Sequence, residues 1–390
     1  MIKHHPYPSR HPHRPAEVFK HLFEITSSWI AKNVVLTIAF AAALITSCVV
    51  PPDAHYASYF DWKTLTCLFC VLAVVCALKN VKFFTILARK IVDCTGNLRI
   101  ATIALVYITF IGSMLIANDM ALLTFLPLGF FVLSSTGKEK YMAFVFIMQN
   151  IAANLGGMLT PFGNPQNLYL YTKFAIPTLE FMQIMLIPFL ASIALITVCC
   201  LFLPREALAI KEECPYRLQP KRTVFYLILF ALSIIIVFRV IPYWIGLIVI
   251  PIALLFTDRQ ALRAVDYPLL LTFVCFFIFA GNMARIPAVS ELFSSLLEKN
   301  TLLFSVLSCQ VISNVPSAIL LSQFTTDYQS LLLGVNIGGA GTLIASLASL
   351  ITFREYTTHN PGKGGKYLLL FSAFNFGFVI LLTLLCSALI

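Results

Sequence analysis

The chain has 390 residues, of which 59% are hydrophobic and 11% charged, with a mean hydropathy of +0.88 and a formal net charge of +10. Soluble domains carry charge at roughly a quarter of their positions, so a soluble enzyme or binding module is excluded as a class. Apolar stretches of about 17 to 25 residues, long enough to cross a hydrocarbon core of about 30 Å, recur along the chain and predict an all-α polytopic membrane protein.

Residues 1–33 carry His4, His5, His11 and His13 among prolines and read as a cytoplasmic tail with an interfacial segment, without a cleavable leader. A first repeat, 34–203, opens with crossings near 34–50 and 62–78, followed by an amphipathic stretch at 80–96 suited to the membrane interface. An apolar segment at 98–134 comes next, then a broken span at 141–172 and a crossing at 178–203. The polar segment 204–222, with Pro204, Pro215 and Pro220, is the expected cytoplasmic linker.

A second repeat, 223–390, runs in the same order. Crossings near 223–240, 242–257 and 268–284 precede an amphipathic stretch at 285–300, an apolar segment at 301–324, a broken span at 329–353 and a last crossing at 367–389. Asp61-Trp62 and Asp266-Tyr267-Pro268 open corresponding spans. Five crossings separate the repeat starts at 34 and 242. An odd number makes the second repeat enter from the opposite side, an inverted repeat.

Placing the N-terminus in the cytoplasm puts 22 of the 27 Lys and Arg residues on that side and leaves Lys63, Lys173, Arg239, Arg285 and Lys299 outside. That asymmetry satisfies the positive-inside rule and points to a multi-pass protein of the inner (plasma) membrane. The basic balance is therefore a topology signal, and no nucleic-acid partner is expected. The eleven cysteines lie mostly within apolar spans, and Cys67-x-x-Cys70 has no second pair to complete a metal site.

Segments 98–134 and 301–324 read as re-entrant hairpins. A straight helix of 37 residues would measure about 55 Å at 1.5 Å per residue, beyond the width of the bilayer core. Segment 98–134 is interrupted only by Ala117-Asn118-Asp119 and 301–324 by Ser313-Asn314-Val315-Pro316. In the second, each arm has about 10 residues, too few to span. The tips are expected to meet the broken spans at mid-depth.

The broken spans are distorted copies of each other. Asn154, Gly156-Gly157 and Thr160 recur as Asn336, Gly338-Gly339 and Thr342 at a constant offset of 182, and small or amide residues follow at 163/345, 164/346 and 167/349. An unpaired backbone amide in hydrocarbon costs several kcal/mol, so such breaks survive only where they line an enclosed site. Paired breaks in two halves of a membrane chain point to a transporter's substrate and ion site. Helix N-termini there favour an anion, and unwound carbonyls favour a cation. Asn118, Asn164, Asn167, Ser313, Asn314, Thr342 and Ser346 are the candidate substrate residues. Asp119, Asn118, Asn154, Thr160, Gly163, Asn314, Asn336 and Gly338 are the candidate cation residues, with Na⁺ sites expected at Asp119 and at Asn314. Taken singly, each Gly, Ser or Asn has a helix-packing reading; the paired recurrence favours a site.

Asp119 is the one acidic residue in the expected membrane interior, where an ionised carboxylate costs at least about 2.5 kcal/mol. It reads as a cation ligand or proton carrier, with helix capping as its structural alternative. The second hairpin has Val315 in its place, so the two sites are chemically unequal. An anionic substrate beside Asp119 calls for a co-bound Na⁺ or proton. No phosphate-binding loop or Ser/His/Asp arrangement is present, which argues against ATP-driven transport, a cofactor and an enzyme. A membrane-embedded receptor is a further class, disfavoured because no signalling domain exceeds the N-terminal tail.

The Ala117-Asn118-Asp119, Gly163-Asn164-Pro165-Gln166-Asn167, Ser313-Asn314-Val315-Pro316, Gly338-Gly339-Ala340-Gly341-Thr342 and Ser346-Leu347-Ala348-Ser349 motifs resemble those of the ion transporter superfamily. The likeness is to the citrate-transporter-like permeases, a group with divalent anion/sodium symporters, arsenite permeases and certain sodium/proton antiporters, and it covers about 34–389. The resemblance implies a dimerising scaffold domain and a transport domain of hairpins and broken helices that moves as an elevator. In the symporters each hairpin tip bears a Ser-Asn-Thr-like triplet touching a carboxylate. Here neither tip has the Thr, and the Asn-Asp tip and the Ser-Leu-Ala-Ser run look closer to the arsenite permease and antiporter branches. The expected function is secondary transport of a small anion, citrate or another carboxylate, coupled to Na⁺ or H⁺, by a homodimer in the lipid bilayer; a Na⁺/H⁺ antiporter or an arsenite exporter is the alternative.

Overall fold

A computed structural model describes residues 33–93, 95–208 and 217–389; the N-terminal tail and the middle of the expected linker lie outside the described residues. The described chain is helical, and its one β contact is an isolated antiparallel bridge between Asn97 and Ala207. In chain order the helices are α1 (Val34–Val49), α2 (Trp62–Asn80), α3 (Phe83–Asp93), α4 (Leu98–Ile116), α5 (Asn118–Ser135), α6 (Met142–Gly156), α7 (Pro165–Lys173), α8 (Thr178–Leu201) and α9 (Pro220–Val237). They continue with α10 (Tyr243–Thr257), α11 (Arg259–Arg263), α12 (Tyr267–Ala284), α13 (Pro287–Ile312), α14 (Asn314–Leu321), α15 (Tyr328–Gly338), α16 (Leu347–His359) and α17 (Gly364–Ser387).

The chain is an all-α polytopic membrane protein. Eight of the described helical segments are long and apolar enough to cross a bilayer. The outward faces of these and the shorter apolar helices carry Ile38, Phe40, Ile228, Phe256 and Leu369 well exposed, side chains that water would not tolerate in such numbers and lipid accommodates. Two expected crossings are shorter than a full span: α1 has 16 residues and α10 has 15. Both arms of the first hairpin segment, α4 with 19 residues and α5 with 18, are by length alone sufficient to cross. The arms of the second are short, as the spacing requires: α13 kinks at Asn300 (φ −166°, ψ 92°), which leaves 301–312 for one arm, and α14 has 8 residues for the other.

Two helices early in the chain and two late in it start on the same kinds of cap. Asp61 accepts from Thr64 N at 3.0 Å, and Asp266 accepts from Leu269 N at 2.9 Å. Asn97 accepts from Ile100 N at 3.1 Å, and Asn300 accepts from Leu303 N at 2.7 Å. Each cap satisfies a first-turn N–H that has no partner within its helix.

The packing is reciprocal. α1 lies against α12 and α10 lies against α2, so the crossing that starts near 34 packs on the one that starts near 267, and the crossing that starts near 243 packs on the one that starts near 62. Likewise α6 packs on α16, and α15 packs on α7. Helices α1, α2, α9, α10 and α12 thus form one group, and α4–α8 with 301–312 and α14–α17 form another. The groups meet where α2 touches α7 and α12 touches α14. Arg239, in the α9–α10 turn, adds a polar tie: it donates to the carbonyls of Ile176 and Tyr171, with its guanidinium carbon 3.9 Å from the centre of the Tyr171 ring.

Candidate functional site

Two single-residue turns and two helix breaks build the site. α4 reverses into α5 at Ala117 (φ 64°, ψ 152°), and α13 reverses into α14 at Ser313 (φ 73°, ψ 161°). These torsions lie in a region that side chains other than hydrogen avoid, at about 1–3 kcal/mol each. Both tips are completed in the same way: Asn118 Oδ1 accepts from Asp119 N at 3.0 Å, and Asn314 Oδ1 accepts from Val315 N at 2.9 Å.

The first break separates α6 from α7, with the chain extended at Thr160 and again at Asn164. The second separates α15 from α16, and Ser346 caps α16 by accepting from Ala348 N at 3.2 Å. Each break is tied to its own hairpin by its threonine. Thr160 Oγ1 donates to Met114 O at 2.8 Å and Thr342 Oγ1 to Gln310 O at 3.2 Å, and each acceptor lies three residues before its tip. The hydroxyl protons of both candidate threonines are therefore engaged within the protein. Glycine is required where the backbone closes on itself: a Cβ on Gly163 would lie 2.3 Å from Gly157 O.

The tips and breaks converge. Asn118 Nδ2 reaches Asn154 Oδ1 at 3.2 Å and Ser346 Oγ at 3.4 Å. Asn314 N and Ser313 Oγ donate to Ala345 O at 2.9 and 3.2 Å. Both tips therefore rest on consecutive residues of the second break. On the other side Asn336 Nδ2 donates to Asn167 Oδ1 at 2.6 Å, and Asn336 Oδ1 accepts from Asn164 at 3.4 Å and Gln166 at 3.5 Å. Asn164 Nδ2 also reaches Asn154 O at 3.3 Å. All of these asparagines and Gln166 are buried. Gly163 lies in the first break and Gly338 ends α15 at the second, and both allow close approach of backbone in place of side chains.

Helices α5, α7, α14 and α16 all begin at this meeting point. Each N-terminus carries unpaired N–H groups equivalent to about half a positive charge. Several buried oxygens have no hydrogen-bond donor: Asp119 Oδ1, Asn164 Oδ1, Gln166 Oε1 and Ser349 Oγ. Buried polar atoms are nearly always paired, and acceptor oxygens left over are what a hard cation takes up. Among the described residues no group of three or more His, Cys, Asp or Glu side chains could hold a metal ion, so neutral oxygens would have to supply most of any coordination shell.

Further polar side chains tie these elements together, and spacing along the chain does not single them out. Gln166 was visible only as part of a motif. Gln310 accepts from Thr342 N at 2.9 Å and donates to Gly338 O at 2.9 Å, locking the second hairpin to its break. Asn150, one turn before Asn154, donates to Asn375 on α17 at 3.4 Å and accepts from Thr352 on α16 at 3.4 Å. The uncommon polar type within apolar helices was the available signal for Asn150 and Asn375; their pairing across helices was not readable.

A family model described as "Citrate transporter" matches residues 22–329, a stretch that contains both hairpins and the first break. The chain belongs to the citrate transporter family. Among its relatives is an uncharacterized transporter of Methanocaldococcus jannaschii, 32% identical over 311 residues that cover 80% of this chain and 85% of the relative. An inner membrane protein of Escherichia coli, YbiR, is 28% identical over 303 residues, covering 75% of this chain and 80% of that one. Membership in the citrate transporter family makes this chain an integral membrane protein of a transporter family, and the amide cluster is where its two halves come together.

Proposed function

We propose that the protein is a secondary active transporter that holds a small carboxylate, of the citrate class, between the Asn118 and Asn314 tips. The observation that carries this reading is the seating of both tips on Ala345 and Ser346, where four helix N-termini begin. Donor-rich helix ends suit a carboxylate, and Ser313, Ser346, Asn164, Asn167 and Thr342 stand around them. The unpaired Asp119 oxygen, with Asn118, Asn154, Thr160 and Gly163, suits one coupling cation, Na⁺ or H⁺. Asn314, Asn336 and Gly338 offer the second half only neutral oxygens.

The reciprocal packing supports an inverted repeat, and the seating of the tips against the breaks supports re-entrant hairpins. In this reading the group bearing the site slides as an elevator against α1, α2, α9, α10 and α12, the α2–α7 and α12–α14 contacts being the surfaces that move. The scaffold group would pair with a second copy in the plasma membrane, with the N-terminus cytoplasmic. Proteoliposomes given labelled citrate should accumulate it under an imposed Na⁺ or proton gradient. Accumulation that is indifferent to collapsing both gradients would contradict the proposal.

The alternative within the superfamily is Na⁺/H⁺ antiport or arsenite export. It is favoured by the Asn118-Asp119 tip, which places a carboxylate where a symporter of this superfamily carries Thr. Proton flux driven by Na⁺ with no organic solute present would establish antiport, and arsenite resistance in expressing cells would establish export.

A further inference from the structure

A polar cavity of about 440 Å³ lies between the two helix groups, and none of the amide-cluster residues lines it. One wall comes from the short turn Ala54–Tyr59 and from α12, which present His55, Tyr59 and Arg285; the other comes from the ends of α7 and α14, which present Lys173 and Gln323. We propose that this cavity is a recruiting vestibule for small anions, with Lys173 as the charge that draws them in. The proposal rests on the carboxylate-transport reading above.

Among the described residues no carboxylate lines the cavity; its polar walls are the Lys173 and Arg285 cations, the His55 imidazole, the Ser58 and Tyr59 hydroxyls and the Gln323 amide. Arg285 is already committed, because its guanidinium pairs with Asp53 at 2.7 and 3.1 Å and donates to Tyr59 Oη at 3.1 Å. Asp53 is thereby spent on Arg285. Asp61, whose field reaches Lys173, accepts from both the backbone and the hydroxyl of Thr64. Lys173 Nζ itself contacts Gln323 Oε1 at 3.4 Å, a neutral partner that leaves its charge available.

The cavity also adjoins the helix that carries part of the amide cluster. Lys173 ends the helix that Asn164 caps, and six residues of rise put it about 9 Å along the axis from Asn167, close to one Debye length at physiological salt, about 8 Å. Between them sits buried Tyr169. Its hydroxyl pairs with Ser322 Oγ at 2.9 Å and accepts from Gln323 at 3.3 Å, and its ring packs on Phe277. Tyr169 and the end of α14 thus form the partition between vestibule and amide cluster. The Lys/Arg distribution assigns this face to the outside, so an incoming anion meets Lys173 before the tips.

The test is citrate uptake into proteoliposomes, with transport read from the side that bears Lys173. Lys173→Gln should raise KM about three- to tenfold, as expected for loss of electrostatic focusing, with kcat nearly unchanged; Lys173→Arg should restore the wild-type KM. Raising ionic strength should raise the wild-type KM and leave that of Lys173→Gln almost flat. Wild-type uptake with an unaltered, equally salt-sensitive KM in Lys173→Gln would overturn the vestibule alone, as would a fall in kcat at constant KM. A wild-type protein that moves no di- or tricarboxylate would overturn the transport reading and the vestibule with it.

Discussion

Asn336 and Asn167, 169 positions apart, share a buried hydrogen bond of 2.6 Å that joins the start of α7 to the end of α15. The same Asn336 side chain accepts from Asn164 and Gln166, so one amide organises three others.

Asn336→Ala should therefore act well beyond its size. It leaves Asn167 Oδ1 without its donor and removes an acceptor shared by Asn164 and Gln166. A buried polar group left unsatisfied costs about 1–3 kcal/mol. Thermal unfolding of the purified protein should show a fall of that order, together with weaker citrate binding.

Asp119→Asn tests the charge at the first tip. The backbone N–H that Asn118 accepts is untouched, so expression and fold should persist while cation dependence of uptake disappears. An intramembrane charge worth about 2.5 kcal/mol or more corresponds to roughly 50- to 100-fold in an equilibrium constant. Coupled transport with a wild-type cation dependence in this variant would remove Asp119 from the mechanism.

Ala117→Gly should relieve the strained torsion at the first tip. A gain of up to about 1 kcal/mol in unfolding stability is expected, with a higher KM because the tip is less firmly held. Ser313→Gly is expected to gain less, since it also loses the bond from Ser313 Oγ to Ala345 O.

Glu206 supplies a pH signature. Its carboxylate accepts from Lys138 at 2.5 Å, Tyr141 at 2.6 Å and Lys140 at 3.2 Å, and these donors, Lys138 foremost, hold its pKa down at about 2. A carboxyl whose folded pKa lies below its unfolded value of 4.5 stabilises fully above that value and loses the contribution as pH falls towards 2. Glu206→Gln should lower stability at neutral pH and converge on the wild type towards pH 2, flattening the acid limb of a stability-against-pH curve over this window. The group is open to solvent, so added salt should shrink the difference.

The parts of the molecule that were legible in the sequence are those with a local cause. The 182-residue echo of Asn154, Gly156-Gly157 and Thr160 located both breaks, because an interruption of an apolar helix is visible in composition. The tips at Ala117 and Ser313 were legible for the same reason. Hydropathy could not tell re-entrant arms from crossings at 98–134, since α4 and α5 are apolar over 19 and 18 residues. Nor could it reveal that Thr160 and Thr342 spend their hydroxyl protons on Met114 and Gln310, or that Gln166 meets Asn336. Those pairings depend on how distant helices cross, which spacing along one helix does not encode.

The reciprocal packing of the two halves also constrains how the chain is made. Thr46 and Asn282 touch although 236 positions separate them, so at about 5–20 residues per second α1 waits roughly 10 to 50 seconds after emerging for the helix it packs against. During that interval its contact face has only lipid or the insertion machinery for company. The first half, severed from the second, would be left with that face uncovered, and the two are better regarded as one cooperative object than as a pair of modules.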